Sequence, residues 1–287
     1  MRLRHLIVLL CAVAPAAAVH AQQKVDRRLP LDAGGLFKFF VSSGSVHVVG
    51  WDVDSVVVTG TISSKSQFFL GGGRQGVKGG VEGDGVEAMA DLIVKVPRRT
   101  RLWVRGGEAD VRIDGMSGPL DCSSASGSVR IQGTSDEVNA ETMGGDLVMI
   151  GSPGYLRLKT ATGRVDMTGS TEDGAITTVS GRVTVRGGMT RRGLIETVTG
   201  DVRYEGGIGA GGALSIDTHA GHVDLVLPRS TNASLMVTAA MTDLFGRRSV
   251  SDPARSSAGI AEEIGGATSG ATITVRTFKG RVTATSP

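Results

Sequence analysis

From Gly127 onward the chain repeats a short phrase in which apolar and polar positions alternate. The copies are GSVRIQG (127–133), GDLVMIG (145–151), GRVDMTG (163–169), GRVTVRG (181–187), GDVRYEG (200–206) and GHVDLVL (221–227). Two residues after each leading glycine stand Val129, Leu147, Val165, Val183, Val202 and Val223. Four after it stand Ile131, Met149, Met167, Val185, Tyr204 and Leu225. The residues between are mostly polar, among them Arg130, Asp166, Thr184, Arg203 and Asp224. Period-two alternation of this kind predicts a half-buried β-strand. A second apolar column lies five residues before the glycine, at Cys122, Ala140, Leu158, Ile176, Ile195 and Ile216. A hydroxyl column lies three before it, at Ser124, Thr142, Thr160, Thr178, Thr197 and Thr218.

Each repeat therefore holds two short strands joined by an arc with glycine at its corner. A sharp β-arc demands positive φ or close backbone approach, both of which a Cβ resists. The hydroxyl column is placed to bond across the arc or to stack as a ladder between copies. The leading glycines recur after 18, 18, 18, 19 and 21 residues, and a fixed period near 20 marks a stacked-repeat architecture. Two strands cannot bury an apolar face alone, so copies must stack at about 4.8 Å per rung. The expected fold is all-β, a single-domain β-solenoid (β-helix) of about 18–21-residue two-strand rungs with capping ends. A β-sandwich with Greek-key connections is the alternative.

The flanks carry the pattern more loosely. Phe37, Phe39 and Val41 alternate, and Gly44–Val48 repeats the glycine-led phrase; we expect first rungs here, with the phenylalanines and Trp51 covering the open end. Two stretches leave the register, 63–90 and 239–270, and read as loop excursions, the second with a mobile loop or small helix near Ile260–Ile264. A bulge is expected around Gly107, where the phrase is longer. The last copy, Ile273–Val282, restores threonine and glycine, so the C-terminus is expected to close the stack. The solenoid domain spans 36–287, after a linker at 22–35.

Residues 1–21 read as a secretory signal peptide: Arg2 and Arg4, an apolar run at 6–13, then Val19-His20-Ala21. The chain is thus expected to be exported, to the periplasm or the cell surface. The whole chain carries a net charge of +3, but two of its 31 Lys and Arg lie in that segment, leaving 29 against 28 Asp and Glu. A near-neutral mature chain argues against a nucleic acid partner and field-driven membrane adhesion. The apolar run is too short to span a membrane. One cysteine, Cys122, remains, in an apolar column where a buried, unreactive thiol is expected.

Searching the sequence for chemistry yields little. There is no HExxH and no Gly-x-Ser-x-Gly, and the glycine-rich stretches at 71–73 and 206–212 lack the ending of a phosphate loop. Outward aspartates such as Asp146, Asp166, Asp201 and Asp224 alternate with arginines, the pattern of a solvated, ion-paired face. One cluster stands out: Asp217, His219, His222 and Asp224 flank Gly221, all on outward parity, where imidazole and carboxylate can share a metal. Phe68 and Phe69 in the first excursion, and Phe245, Arg247 and Arg248 in the second, are the candidate partner-binding residues.

The GSVHVVGWD segment (44–52), the strand ending at Val96-Pro97, the GxVxVxG repeats with upstream threonines, GHVDLVLP (221–228) and TFKGRV (277–282) together resemble one bacterial family. It is the "putative adhesin" domain of unknown function, a β-strand-repeat group akin to GIN-domain auto-transporter adhesin heads. The resemblance covers Leu36 to Val282. It implies a β-solenoid on an exported or envelope protein, without catalytic residues to carry over. The expected function is a non-enzymatic binding or structural module of the bacterial cell envelope, needing no cofactor. Its expected partner is a polysaccharide, a peptide or another envelope protein. A carbohydrate-active enzyme, a polysaccharide lyase or glycosidase on a β-helix, is the alternative.

Overall fold

The structure is a computed structural model that describes residues 22–83, 89–250, 259–266 and 270–286. The expected signal peptide, 1–21, lies outside the described residues, as do 84–88 and 251–258 and 267–269 of the two excursions. Among the described residues every regular element is a strand, and 25 strands join in one continuous sheet.

The sheet folds into two facing stacks. The first begins with β5 (Gln67–Gly73), β6 (Gly76–Glu82) and β2 (Leu36–Val41). It runs on through β8 (Arg101–Gly106), β10 (Leu120–Ser124), β12 (Glu137–Thr142) and β14 (Tyr155–Lys159). The second halves of β15 (Val165–Thr177) and β16 (Val183–Thr197) follow, then β18 (Ala213–Thr218). It ends with β24 (Ala271–Thr277), β20 (Ala233–Thr238) and β23 (Ile260–Ile264).

The second stack begins with β1 (Gln22–Pro30), β4 (Ser55–Ser63), β7 (Met89–Pro97) and β3 (Ser43–Trp51). Next come β9 (Asp110–Met116), β11 (Val129–Gly133), β13 (Leu147–Ile150) and the first halves of β15 and β16. It closes with β17 (Val202–Ile208), β19 (Val223–Val226), β25 (Arg281–Thr285), β21 (Met241–Leu244) and β22 (Arg247–Val250).

Interior pairings are parallel and in register, Val129 with Leu147, Leu147 with Val165 and Val165 with Val183. That ordering belongs to a solenoid-like stack; a Greek-key sandwich would alternate strand direction. The apolar columns of both stacks meet in the middle. Val165, Val183, Met167 and Val185 from one side and Leu158, Ile176 and Ile195 from the other are all at most 1% exposed. Burial of such a column stabilises by roughly 25 cal/mol per Å² of apolar surface.

The corner explains the glycine and hydroxyl columns together. The Thr178 hydroxyl accepts the Gly181 N–H across the arc at 3.0 Å and donates to the Ala161 carbonyl of the neighbouring rung at 3.3 Å. One oxygen thus closes the arc as expected, and it ties the rungs through a backbone carbonyl and not through a ladder of hydroxyls. Gly181 lies outside the left-handed region, yet a Cβ there would sit 1.8 Å from the Gly163 carbonyl oxygen. Close stacking, not positive φ, requires the glycine.

Several expectations need correction. Spatial order departs from chain order at both ends. β2 and β3 lie inside β6 and β7, and β24 and β25 lie between β18/β19 and β20/β21. The final copy therefore fills an interior rung and does not close the stack. The described parts of the excursions are mostly strands: β5 and β6 of the first and β21–β23 of the second belong to the sheet, and Ile260–Ile264 is a strand antiparallel to β20, neither helix nor loop. Residues 22–30 of the supposed linker form β1, antiparallel to β4. Phe37 and Phe39 are fully buried in an interior rung and cap nothing. The capping is done by antiparallel strands, β1, β4 and β5 at one end and β22 and β23 at the other, because reversing direction breaks the template for further parallel stacking. Register irregularities fall at Gly115 (φ +70), where Gln132 and Gly133 face Asp114 and Met116, and between Thr171 and Asp173, which face Met189 and Arg192.

Candidate functional site

The four residues around Gly221 point outward, as parity requires, but the arc divides them. Asp217 lies on β18 of the first stack and Asp224 on β19 of the second, with His219 and His222 on the arc between them. Each has its own partner on the next rung. Asp217 accepts from the Ser215 hydroxyl at 2.8 Å and faces Arg276 at 3.8 Å. His219 stacks on Phe278, ring centroids 5.4 Å apart. His222 Nδ1 accepts the Arg281 backbone N–H at 3.0 Å, and Asp224 accepts from the Thr283 hydroxyl at 2.5 Å. Among the described residues no three His, Cys, Asp or Glu side chains gather as a metal would need.

The candidate partner-binding residues fall at opposite ends of the stack. On β5, Phe68 leans onto the core while Phe69 turns outward, with the Lys78 ammonium 5.8 Å from its ring centroid. At the other end Phe245 and Gly246, at φ 51 and 82, form the two-residue turn between β21 and β22. Phe245 packs against the core, Arg247 pairs with Glu262, and Arg248 pairs with Asp243 at 2.9 Å. In the second group Arg248 braces its own hairpin and Arg247 ties it to β23, both staying exposed, while Phe69 looks onto an open sheet face.

That face, on the first stack, carries a feature that alternation along one strand does not reveal. In-register pairing places Lys38, Trp103, Asp121 and Asn139 side by side on β2, β8, β10 and β12. All four are half-buried and outward. The Lys38 ammonium lies 4.7 Å, and the Arg105 guanidinium carbon 4.1 Å, from the Trp103 ring centroid. Arg105 in turn donates to Asp121 at 2.6 Å, and the Asn139 amide reaches the same carboxylate at 3.4 Å. Lys38, Trp103, Asp121 and Asn139, with Arg101 and Glu137, line an open hollow of about 440 Å³. Toward the end of the stack Phe40 and Phe69 continue it, bridged by Lys78, 5.1 Å from the Phe40 ring. The sequence holds one clue to this ledge, a tryptophan at an outward position between Arg101 and Arg105.

A second hollow, of about 390 Å³, opens on the other stack between Asp201, Arg203, His222, Asp224 and Arg281. Its carboxylates are engaged in holding the rungs. Asp201 accepts the His222 N–H at 3.0 Å, repeating a motif in which Asp146 accepts the Arg164 N–H at 2.8 Å. Hydrogen bonds from the Arg164 side chain hold the Asp146 carboxyl below the usual carboxylate range. Burial in the core pushes the Cys122 thiol up to about 12, as its column leads one to expect.

The model of the Toastrack DUF4097 family matches residues 61–283. No curated protein matches the chain. A crystal structure titled as a "putative cell adhesion protein" from Clostridium sporogenes ATCC 15579 aligns over 92% of this chain and 100% of that one. The identity is 8% and the TM-score 0.19, too low for that likeness to carry an argument.

Proposed function

The chain belongs to the Toastrack DUF4097 family, and from that premise we propose that it is a non-enzymatic binding module of the bacterial cell envelope that takes up polysaccharide on the open face of the first stack. The observation that carries this reading is the ledge at Trp103. A half-exposed indole offers a flat apolar surface to the C–H face of a sugar ring, here once the sugar displaces one of the two cations, Lys38 and Arg105, that lie against the ring. Around it Lys38, Arg105, Asp121 and Asn139 supply donors and acceptors that fix a ligand's orientation. Stacked rungs hold these groups at a fixed pitch, which suits a polymer with its own repeat. Export is supported by the composition of residues 1–21, and among the described residues no helix is long and apolar enough to cross a membrane.

The test is titration of the purified protein with acidic and neutral polysaccharides, followed by calorimetry. Trp103→Ala is expected to weaken binding at least about 10-fold while leaving the melting temperature within a few degrees. Equal affinity of the variant, or binding of no polysaccharide, would overturn the proposal. Shortening of the polymer during incubation would replace it with the enzyme reading. Recovery of a processed chain beginning at Gln22 from the periplasm or cell surface checks the envelope location.

A further inference from the structure

Along one edge of the molecule the arcs expose a continuous ridge, apolar but for His219. Met143, Ala161, Val179, Val198, His219 and Phe278 occupy the same place on successive rungs, two residues before each corner glycine. Backbone hydrogen bonds of 3.1 Å tie Ala161 to Met143, Val179 to Ala161, Val198 to Val179 and His219 to Val198. Met143 is 68% exposed and Phe278 46%. At about 4.8 Å per rung the ridge is about 24 Å long. The core gains nothing from it, and an exposed contiguous apolar strip marks an interaction surface.

The flanks indicate what covers it. On the first-stack side the outward residues run Glu141, Lys159, Thr177, Glu196, Asp217, Arg276. On the other side they run Asp146, Arg164, Arg182, Asp201, His222, Arg281. On four of the six rungs both flanks share a sign: acidic at Met143, basic at Ala161, acidic at Val198, basic at Phe278; the other two carry Thr177 with Arg182 and Asp217 with His222. This order follows from pairing neighbours, as in Asp146–Arg164 at 2.8 Å and Asp217–Arg276 at 3.8 Å. It has a geometric consequence. Reversed end for end about a two-fold axis between Val179 and Val198, the pattern meets its own opposite.

We infer that the ridge is a self-association surface on which a second copy of this chain docks antiparallel. In that arrangement Glu141 faces the other copy's Arg276, Lys159 faces Asp217, Asp146 faces Arg281 and Arg182 faces Asp201. Thr177 faces Glu196, and Arg164 faces His222; these two pairs add no attraction. Along the crest Met143 meets Phe278, a favourable sulfur–aromatic contact. The small Ala161 meets the bulky His219, and Val179 meets Val198. A parallel dimer would instead set Glu141 against Asp146, Lys159 against Arg164 and Arg276 against Arg281, like against like. A two-fold axis makes such an interface closed, so the product is a dimer and not a filament. The crest is one residue wide on each rung and is flanked by charged side chains. The dimer is therefore concentration-dependent and weakened by salt.

Sedimentation velocity on the purified protein from about 10 μM to about 1 mM reads the association. The expected result is a monomer–dimer equilibrium, weakened at least about 10-fold by Val198→Lys, which sits at the axis and leaves the fold intact. A single monomeric species throughout, or equal association of the variant, would overturn the inference. Orientation is read separately by oxidative cross-linking. Mixed Met143→Cys and Phe278→Cys proteins are expected to form a bond between the two introduced thiols, while neither alone does so. Cross-linking of Met143→Cys to itself would show a parallel contact and overturn the antiparallel dimer.

Discussion

The Thr277 hydroxyl donates to the Gly221 carbonyl at 3.1 Å, although 56 residues separate them in the chain. The same oxygen accepts the Gly280 N–H at 2.9 Å. Thr277 thus makes on the far side of a long excursion the contact that Thr160 makes to Gly145, 15 residues earlier. One hydroxyl closes an arc and ties it to the rung below, whichever segment of chain supplies that rung.

This gives the hydroxyl column a measurable value. Thr178→Val keeps the β-branched shape but leaves the buried Gly181 N–H without its acceptor. A loss of about 1–3 kcal/mol is expected, read by denaturant unfolding. Unchanged stability would mean that the arc holds without its side-chain bond.

The corner glycines make a sharper demand. A Cβ at Gly181 would meet a backbone oxygen, which cannot swing aside, whereas one at Gly207 meets nothing within 4 Å. Gly181→Ala is expected to cost at least about 4 kcal/mol or prevent folding, and Gly207→Ala to change stability by no more than about 0.5 kcal/mol. Similar melting temperatures for the two would show that the rungs separate more easily than the backbone contacts imply.

Alkaline pH should erode stability through two buried groups. Burial raises Cys122 from 9.0 and Tyr204 from 10.0, each to about 12. Above pH 9 the unfolded chain releases protons that the native chain retains, so the unfolded state is favoured progressively up to about 12. Cys122→Ala and Tyr204→Phe should flatten that decline, although each lowers stability at neutral pH. Native Cys122 should also resist alkylation at pH 8 until the chain is unfolded. Rapid native labelling at that position would count against its burial.

The repeat was legible because its signal is local. Alternation at Val129 and Ile131, the threonine three residues before the glycine, and the outward parity of His219 and His222 all follow from one strand read alone. Features that depend on which strand lies alongside were not legible. Every copy carries the same columns, so any copy can stack on any other, and nothing in 271–285 announces that it slips between β18/β19 and β20/β21. The metal expectation failed to converge for the related reason that the arc sends Asp217 and Asp224 to different stacks. Trp103 reads as an ordinary strand residue until Lys38 is placed beside it by pairing between β2 and β8. The excursions misled because glycines at 71–73 and 79–80 suggested loop, while pairing with Phe69, Phe40 and their neighbours makes the segment a hairpin on the sheet.

Rung order is the boldest feature of the fold, and it can be tested by chemistry alone. Asp224 on β19 lies in register with Thr283 on β25, and Thr283 in register with Asp243 on β21. Adjacent strands stand about 4.8 Å apart, within the Cα separation of about 4.4–6.8 Å that a disulfide accepts. Two rungs span about 9.6 Å, beyond its reach. All three side chains point outward and are half-buried, so cysteines there should not disturb the core. The double variant Asp224→Cys, Thr283→Cys is expected to form an intrachain bond on mild oxidation. The double variant Asp224→Cys, Asp243→Cys is expected to stay reduced under the same conditions. Were the rungs stacked in chain order, β21 would lie directly on β19 and the outcomes would be reversed. Mass analysis of the proteolytic peptides distinguishes the two cases, and a bond between positions 224 and 243 would show that the final copy closes the stack after all.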